Sequence, residues 1–405
     1  MIRIYSNNKI FCTGCAACFN ICPEKAIRMV YDNEGFEYPE IDLLRCSGCN
    51  LCETVCPAID DSKKIIVPRV YACQNKNYEE LKLSSSGGVF SLFAKEILKN
   101  NGIVVGAAFD DKYVKHILIE SYEEIDKLRR SKYVQSSIGT IYKQIKKYLN
   151  FGKKVLFSGT PCQVKGLKRY LKEEVVNLIT IDVLCFGVAS PNLFKDYLTE
   201  MEQKFGARIK NINFRAKELS LQAIKIIFDN GAFYLKNPQE DPFYAAFGSR
   251  LILRPSCYTC KYNNLYLEKN FLIDRSGSDI SFGDYWGAST KFPIFNEQEG
   301  VSLVIIKTEK GQSLLNEIIH EINLSESDIA HAYQFNLPLK GDSSTNKWES
   351  SEFFKIYSRK KKSTIYLLNK YSKNTFLWKI KRNLNAKWLF HKIKLKVRKY
   401  RKIGC

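Results

Sequence analysis

Eight of the chain's fourteen cysteines fall in two runs with one pattern. The first reads Cys12-Thr-Gly-Cys15-Ala-Ala-Cys18-Phe-Asn-Ile-Cys22-Pro23, the second Cys46-Ser-Gly-Cys49-Asn-Leu-Cys52-Glu-Thr-Val-Cys56-Pro57. Three thiolates at x2-x2 spacing on a looped backbone can wrap three irons of one 4Fe-4S cubane, and the cysteine before proline ligates the cluster of the other run. One cluster is therefore expected on Cys12, Cys15, Cys18 and Cys56, and a second on Cys46, Cys49, Cys52 and Cys22. Zinc asks for paired C-x2-C sets, which these runs are not. Disulfides need an oxidising compartment. Such clusters move single electrons.

Six cysteines remain: Cys73, Cys162, Cys185, Cys257, Cys260 and Cys405. Cys257 and Cys260 form a C-x2-C pair. Cys162 and Cys185 each follow an expected strand, beside glycines that let backbone approach closely. These four could hold a third 4Fe-4S cluster. Spacing alone equally allows a zinc ion, or two buried apolar thiols and an incidental pair. Cys73 lies inside an expected strand and is assigned to the core; Cys405 is a free terminal thiol. Ser84-Ser85-Ser86-Gly87-Gly88 precedes a helix, where hydroxyls and free N–H groups can meet a phosphate; a plain helix-capping turn fits it equally. His116, His320, His331 and His391 suggest no metal triad. Clusters pass one electron at a time while most organic reductions need two, so a converter such as a flavin is expected.

The elements that must position these groups alternate. Strands are expected at Val70–Gln74, Ile103–Phe109, Tyr113–Glu120, Lys154–Ser158, Val176–Leu184 and Val301–Ile306. Helices are expected at Val89–Lys99, Glu123–Arg130, Ile138–Leu149, from Gly159 to about Leu171, and over Glu309–Ile322. Asp229-Asn230-Gly231 marks a hairpin. Strand–helix–strand alternation implies parallel pairing, with ligands at the carboxyl ends of strands, where Ser158 to Gln163 and Cys185 lie. The expected architecture is a ferredoxin-like module over 1–62, joined by a polar linker to a mixed α/β domain (68–150 and 151–345), then a helical basic tail over 346–405.

Hydrophobic residues make up 45% of the chain, as in an ordinary soluble protein. No apolar run precedes Cys12 and no stretch reaches membrane-span length, which predicts a cytoplasmic protein. The net charge of +21 is uneven. After Glu352 come 18 Lys and Arg and no acidic residue, leaving 45 basic against 42 acidic residues before it. Leu367, Leu368, Tyr371, Phe376, Trp378, Trp388 and their apolar neighbours interleave with those cations. Such a composition suits an interfacial amphipathic helix at the anionic inner membrane face, a helix packed on the body, or a contact for an acidic redox protein such as a ferredoxin. No motif for specific nucleic-acid recognition is present.

Seven short motifs in order carry a family resemblance: Ser84–Phe90, Ser131–Ser136, Phe157–Gln163, Asp182–Gly187, Asn213–Lys217, Arg254–Cys260 and Asp279–Gly287. From about Arg69 to Thr308 the chain resembles the beta subunit of coenzyme F420-reducing hydrogenase and its dehydrogenase relatives, many of which carry a ferredoxin module in front. The resemblance implies an FAD and an iron–sulfur cluster in this domain, the cluster on Cys162, Cys185, Cys257 and Cys260. It implies flavin contacts from Ser85, Ser86, Gly87, Gly88, Gln135, Thr160 and Gln163, with Asp284 and Trp286 toward the substrate. Where the family often reads Cys-His-Gly, this chain has Cys185-Phe186-Gly187, and Glu218-Leu-Ser-Leu-Gln222 replaces the usual Gly-Trp after Lys217. These departures predict that coenzyme F420 is a poor partner. The expected function is an iron–sulfur flavoprotein oxidoreductase fed by a ferredoxin-type donor and acting on an organic acceptor; the alternative is a non-catalytic electron-transfer subunit.

Overall fold

The computed structural model describes residues 9–262, 265–268, 270–340 and 347–372. An eight-stranded mixed sheet organises the chain. Its strands are β1 (Arg69–Asn75), β2 (Ile103–Asp110), β3 (Tyr113–Ile119), β4 (Val155–Gly159), β5 (Leu178–Val183), β6 (Ile280–Asp284), β7 (Ser302–Ile306) and β8 (Ile322–Ser327), in the order β8-β1-β7-β6-β5-β4-β2-β3. The central strands β2, β4, β5 and β6 are parallel, and antiparallel strands flank them.

The parallel strands are apolar on both sides because helices cover both faces. Val104, Leu156, Ile179 and Ile181 pack with helices α1 (Val89–Lys99) and α5 (Glu309–Glu317). Their neighbours Ile103, Val105, Val155, Phe157 and Leu178 face α2 (Ile141–Asn150) and α3 (Pro161–Leu171). That second layer also contains Cys15, Ala16, Ala17 and Val55. The cysteine module is thus built into the core of the α/β domain.

The segment expected to be a polar linker is structured. Lys64–Ile66 is a strand paired with Phe271–Asp274, and Asp60 binds both Lys165 (3.0 Å) and Arg169 (2.7 Å). A third, aromatic-rich core surrounds helix α4 (Pro191–Phe205) and joins Phe36 and Tyr38 of the module to Phe353, Phe354 and Tyr357. Leu367 and Leu368 are buried in this core, as a helix packed on the body requires and an interfacial helix does not. The cationic segment from residue 373 on, with Phe376, Trp378, Trp388 and Cys405, lies outside the described residues. No helix among the described residues is long and apolar enough to cross a membrane.

Other expectations moved at their edges. The helix expected over Glu309–Ile322 stops at Glu317, and Ile322 instead opens edge strand β8. The helix expected at Glu123–Arg130 is a 3-10 turn followed by Ile125–Leu128. The hairpin at Asp229–Gly231 forms, pairing Ile224 with Lys236. Cys73 is fully buried in β1, as expected.

Candidate redox centres and cofactor cavity

The two cysteine runs fold alike. Gly14 and Gly48 have φ of +69° and +73°, and Ala16 and Asn50 are both left-handed, at φ 58° and 57°. A short helix follows each, Ala17–Ile21 and Leu51–Thr54. Two left-handed residues per loop turn successive thiols to one side. For Ala16 this costs roughly 1–2 kcal/mol, a strain accepted at a functional loop.

The predicted pairing of the sets follows the chain's course. Cys22, Cys46, Cys49 and Cys52 line one pocket. Burial pushes the Cys15 thiol up, and the nearby Cys56, Cys162 and Cys12 push it further. Cys18 is raised by burial and by Cys15, Cys12 and Cys56. Cys12, Cys15, Cys18 and Cys56 therefore stand together. Cys15 of the first set is buried against α3, whereas Cys49 of the second is exposed.

The remaining four cysteines also converge. Cys162 is the second residue of α3, Cys185 follows β5, and Cys257 ends the short 3-10 turn Pro255–Cys257. Burial raises the Cys185 thiol, with further pushes from Cys257, Cys162 and Cys260. Cys257 is lifted to about 11 by burial, with Cys162 also raising it. Among the described residues, no three His, Cys, Asp or Glu side chains converge on a single metal ion. A cubane asks for something different: thiols spaced around a body of four irons. The donor chemistry of all three groups, four thiols each, suits that body.

Beside the inner thiols opens a cavity of about 340 Å³, continuous with solvent. That volume lies at the lower end of the roughly 300–1,000 Å³ of ordinary small-molecule pockets. Its wall is made by the carboxyl ends of β4, β5 and β6, the start of α1 and the segment Arg129–Val134, and it includes Cys185. Of the seven expected flavin contacts, Ser85, Ser86, Gly88, Thr160 and Gln163 line it. Gly87 and Gln135 are not among the lining residues. Gly87 is pressed on the sheet: a Cβ there would lie 2.3 Å from the Cys73 carbonyl and 2.6 Å from Ser302 N. Gln135 instead accepts a bond from Arg254 (2.8 Å). Asp284 lines the cavity; Trp286 is not among its lining residues.

The start of α1 carries no side-chain cap, because its N-cap is Gly88 in the left-handed region, at φ 77°. The serines before it are used elsewhere: Ser84 Oγ donates to Glu80 O (2.8 Å), Ser86 Oγ donates to Val301 O (2.9 Å), and Ser85 Oγ accepts from Ser131 N (2.8 Å). An uncapped helix start facing a cavity suits an anionic group. Thr160 and Gln163 form the capping box of α3, with Thr160 N donating to Gln163 Oε1 (2.9 Å), while Gln163 Nε2 donates to Ser136 Oγ (3.0 Å).

Several cavity residues escaped the sequence reading. His116, on β3, donates from Nε2 to Ser158 O (3.1 Å) and stacks on Phe157, while its buried Nδ1 has no partner among the described residues. Burial holds its pKa down at about 4, so the ring is neutral and Nδ1 is an open acceptor. Lys132 is brought down to about 7 by burial and then by Arg130. Arg215 makes a two-pronged ion pair with Asp284 (2.8 and 3.1 Å), joining two of the sequence motifs. Phe186 lies edge-on to Phe247 and under the Arg250 guanidinium (5.2 Å). Motif membership could have flagged Arg215, as it did the stretch Lys132 to Ser136; no local signal marks His116.

Two ferredoxin-type loops seated on a mixed α/β sheet define an iron–sulfur electron-transfer protein. Residues 11–58 match the 4Fe-4S dicluster domain. Residues 152–332 match the family described as the C terminus of the beta subunit of coenzyme F420 hydrogenase/dehydrogenase. It is similar to the coenzyme F420-dependent sulfite reductase of Methanocaldococcus jannaschii, at 23% identity over 368 residues, covering 85% of this chain. The chain spans about half of that relative, 52% of its length. A solved structure of the F420-reducing NiFe hydrogenase complex from Methanosarcina barkeri aligns at 15% identity and a TM-score of 0.42, covering 74% of this chain and 89% of that one.

Proposed function

We propose that this protein is an iron–sulfur flavoprotein oxidoreductase, carrying electrons from a ferredoxin-type donor through 4Fe-4S clusters to an FAD and on to an organic two-electron acceptor. The observation that carries the reading is Cys185. It stands among the inner thiols and also lines the cavity, so a cluster there and a ligand in the cavity would be neighbours.

The module's thiols would hold two clusters and the inner four a third. Bound FAD would supply the exchange between one- and two-electron chemistry. The chain's own part is to hold and exclude. The open start of α1 would receive a phosphate, and His116 Nδ1 would accept from an N–H or O–H of the ligand. The Arg215–Asp284 pair and Phe186 would shape the substrate side. Phe186 offers no proton and no hydrogen bond where the family often has histidine, which favours an acceptor other than coenzyme F420.

Anaerobic purification, acid release and metal analysis test this. The expected result is FAD in the supernatant and about twelve irons per chain, the content of three cubanes. A colourless supernatant from fully reconstituted protein would sink the flavin. Iron near eight would remove the inner cluster. Flavin reduced by ferredoxin, with no turnover of any organic substrate by the isolated chain, would favour the electron-transfer-subunit reading.

A further inference from the structure

Arg254 is fully buried, yet no carboxylate among the described residues forms an ion pair with it. Its guanidinium donates to Cys12 O (2.8 Å), Glu37 O (3.0 Å) and Gln135 Oε1 (2.8 Å), and Nη2 lies 3.8 Å from Cys12 Sγ. Its face covers Tyr38, 4.1 Å from the ring centroid. Its own backbone N–H donates to Val188 O (3.0 Å), three residues beyond Cys185. It thus reaches from the C-x2-C loop of the inner set into the first cysteine run. The carboxylates of Asp32, Glu34 and Glu37 stand in its field without bonding it.

A buried cation is costly unless negative charge faces it. Besides Tyr38 and the Asp32 carboxylate, the groups whose negative charge would face Arg254 belong to two different thiol sets, Cys12 on one side and Cys257 and Cys162 on the other. A thiolate-bound cubane becomes more negative on reduction, and net charge and hydrogen bonds at the sulfurs set its potential. A fixed positive charge in a low-dielectric interior therefore favours the reduced form of both neighbours at once. We propose that Arg254 is a positioning residue that joins the first cluster site to the inner one and raises the reduction potential of both relative to the solvent-facing cluster site. Two adjacent anionic centres could then both hold electrons, because the cation between them offsets their repulsion. The inference rests on the proposed clusters on these cysteines.

The test is an EPR-monitored redox titration of the full-length, iron-loaded protein, with signals assigned through Cys49→Ser and Cys257→Ser. Arg254→Gln should keep its iron, move the potentials of the first and inner clusters negative, and leave the cluster on Cys22, Cys46, Cys49 and Cys52 in place. Arg254→Lys should move the same two signals less, since it keeps the charge but cannot make three directed bonds. Unchanged potentials in fully loaded variants would overturn the proposal, as would an equal shift of all three. If Arg254→Gln loses iron, Arg254→Lys decides by the same criterion. Wild-type protein with eight irons would instead count against the inner cluster, and the Arg254 comparison would then rest on the first cluster alone.

Discussion

The module's thiols and the inner thiols reach similar ends by opposite routes. In the module, three thiols of each set come from one seven-residue loop, and left-handed residues do the turning. In the inner set, one thiol comes from a helix start, one from a strand end and two from a distant turn, 98 residues from first to last. A loop of the first kind is specified by local backbone preference. A site of the second kind exists only when β4, β5 and the 255–260 turn are all in place. The local sites should therefore tolerate loss of the distributed one, and the reverse should hold less well, because Cys15 and Val55 are part of the core beneath α3.

The largest expected effect breaks this comparison at the inner set. Cys257→Ser should remove about four of about twelve irons and leave the module's spectrum unchanged. If iron falls by more than half, the two regions are not separable and the contrast above is wrong.

Next comes the difference between the two repeats. Gly14→Ala and Gly48→Ala impose the same strain, roughly 1–2 kcal/mol at a left-handed position. Only Gly14 is crowded: its added Cβ would lie 2.3 Å from Gln135 Nε2 and 3.0 Å from Arg254 Nη1, whereas nothing lies within 4 Å at Gly48. Crowding adds about 1–3 kcal/mol, so Gly14→Ala should unfold at a clearly lower temperature than Gly48→Ala. Equal midpoints would show that the module is held less closely against Arg254 than the structure has it.

A smaller effect concerns His116. Its folded pKa, about 4, is below the ordinary 6.5. Between those values the unfolded chain binds the proton and the folded chain does not, so its contribution to stability is lost as pH falls. At pH 5.5 the loss is roughly 1.5 kcal/mol relative to pH 8. Denaturant titrations of wild type and His116→Gln should therefore converge or cross as pH drops from 8 to 5.5. A constant gap would mean that His116 reaches the solvent and titrates normally.

How far the sequence spoke depends on the same division. The cysteine loops, the strands Ile103–Asp110 and Val155–Gly159, and the cavity's place at strand ends were readable, because spacing and apolar runs are local signals. Helix Pro191–Phe205 was missed although Ser190-Pro191 starts it and Gly206 ends it, both ordinary helix boundaries. The serines of the 84–88 turn read as phosphate contacts, but sheet and turn partners use them. Gly87 read as a ligand-facing glycine and is a packing one. His116 and Arg254 acquire meaning only from tertiary neighbours, Ser158 and Phe157 for one and Cys12, Glu37 and Gln135 for the other, which no window of sequence contains.

The smallest effect is expected at the carboxyl end, where the structure moves the boundary that a truncation must respect. A cut after Glu352 would remove Phe353, Phe354, Tyr357, Leu367 and Leu368, all buried in the aromatic core that also holds Phe36 of the module. Losing several such side chains, each worth about 2–5 kcal/mol, exceeds the stability of most domains. That cut would test folding, not the tail. A cut after Ser372 keeps every described residue of this core and removes twelve of the 18 cations that follow Glu352. The protein shortened there should keep its iron and its unfolding temperature. If the cations serve a charged partner, binding to anionic vesicles or to an acidic ferredoxin should weaken at low salt and match the intact protein at high salt, where exposed charges are screened beyond about 10 Å. Loss on vesicles alone would assign the segment to a membrane surface, and loss with ferredoxin alone to the electron donor. Equal binding by the two forms in both assays at low salt would remove both roles.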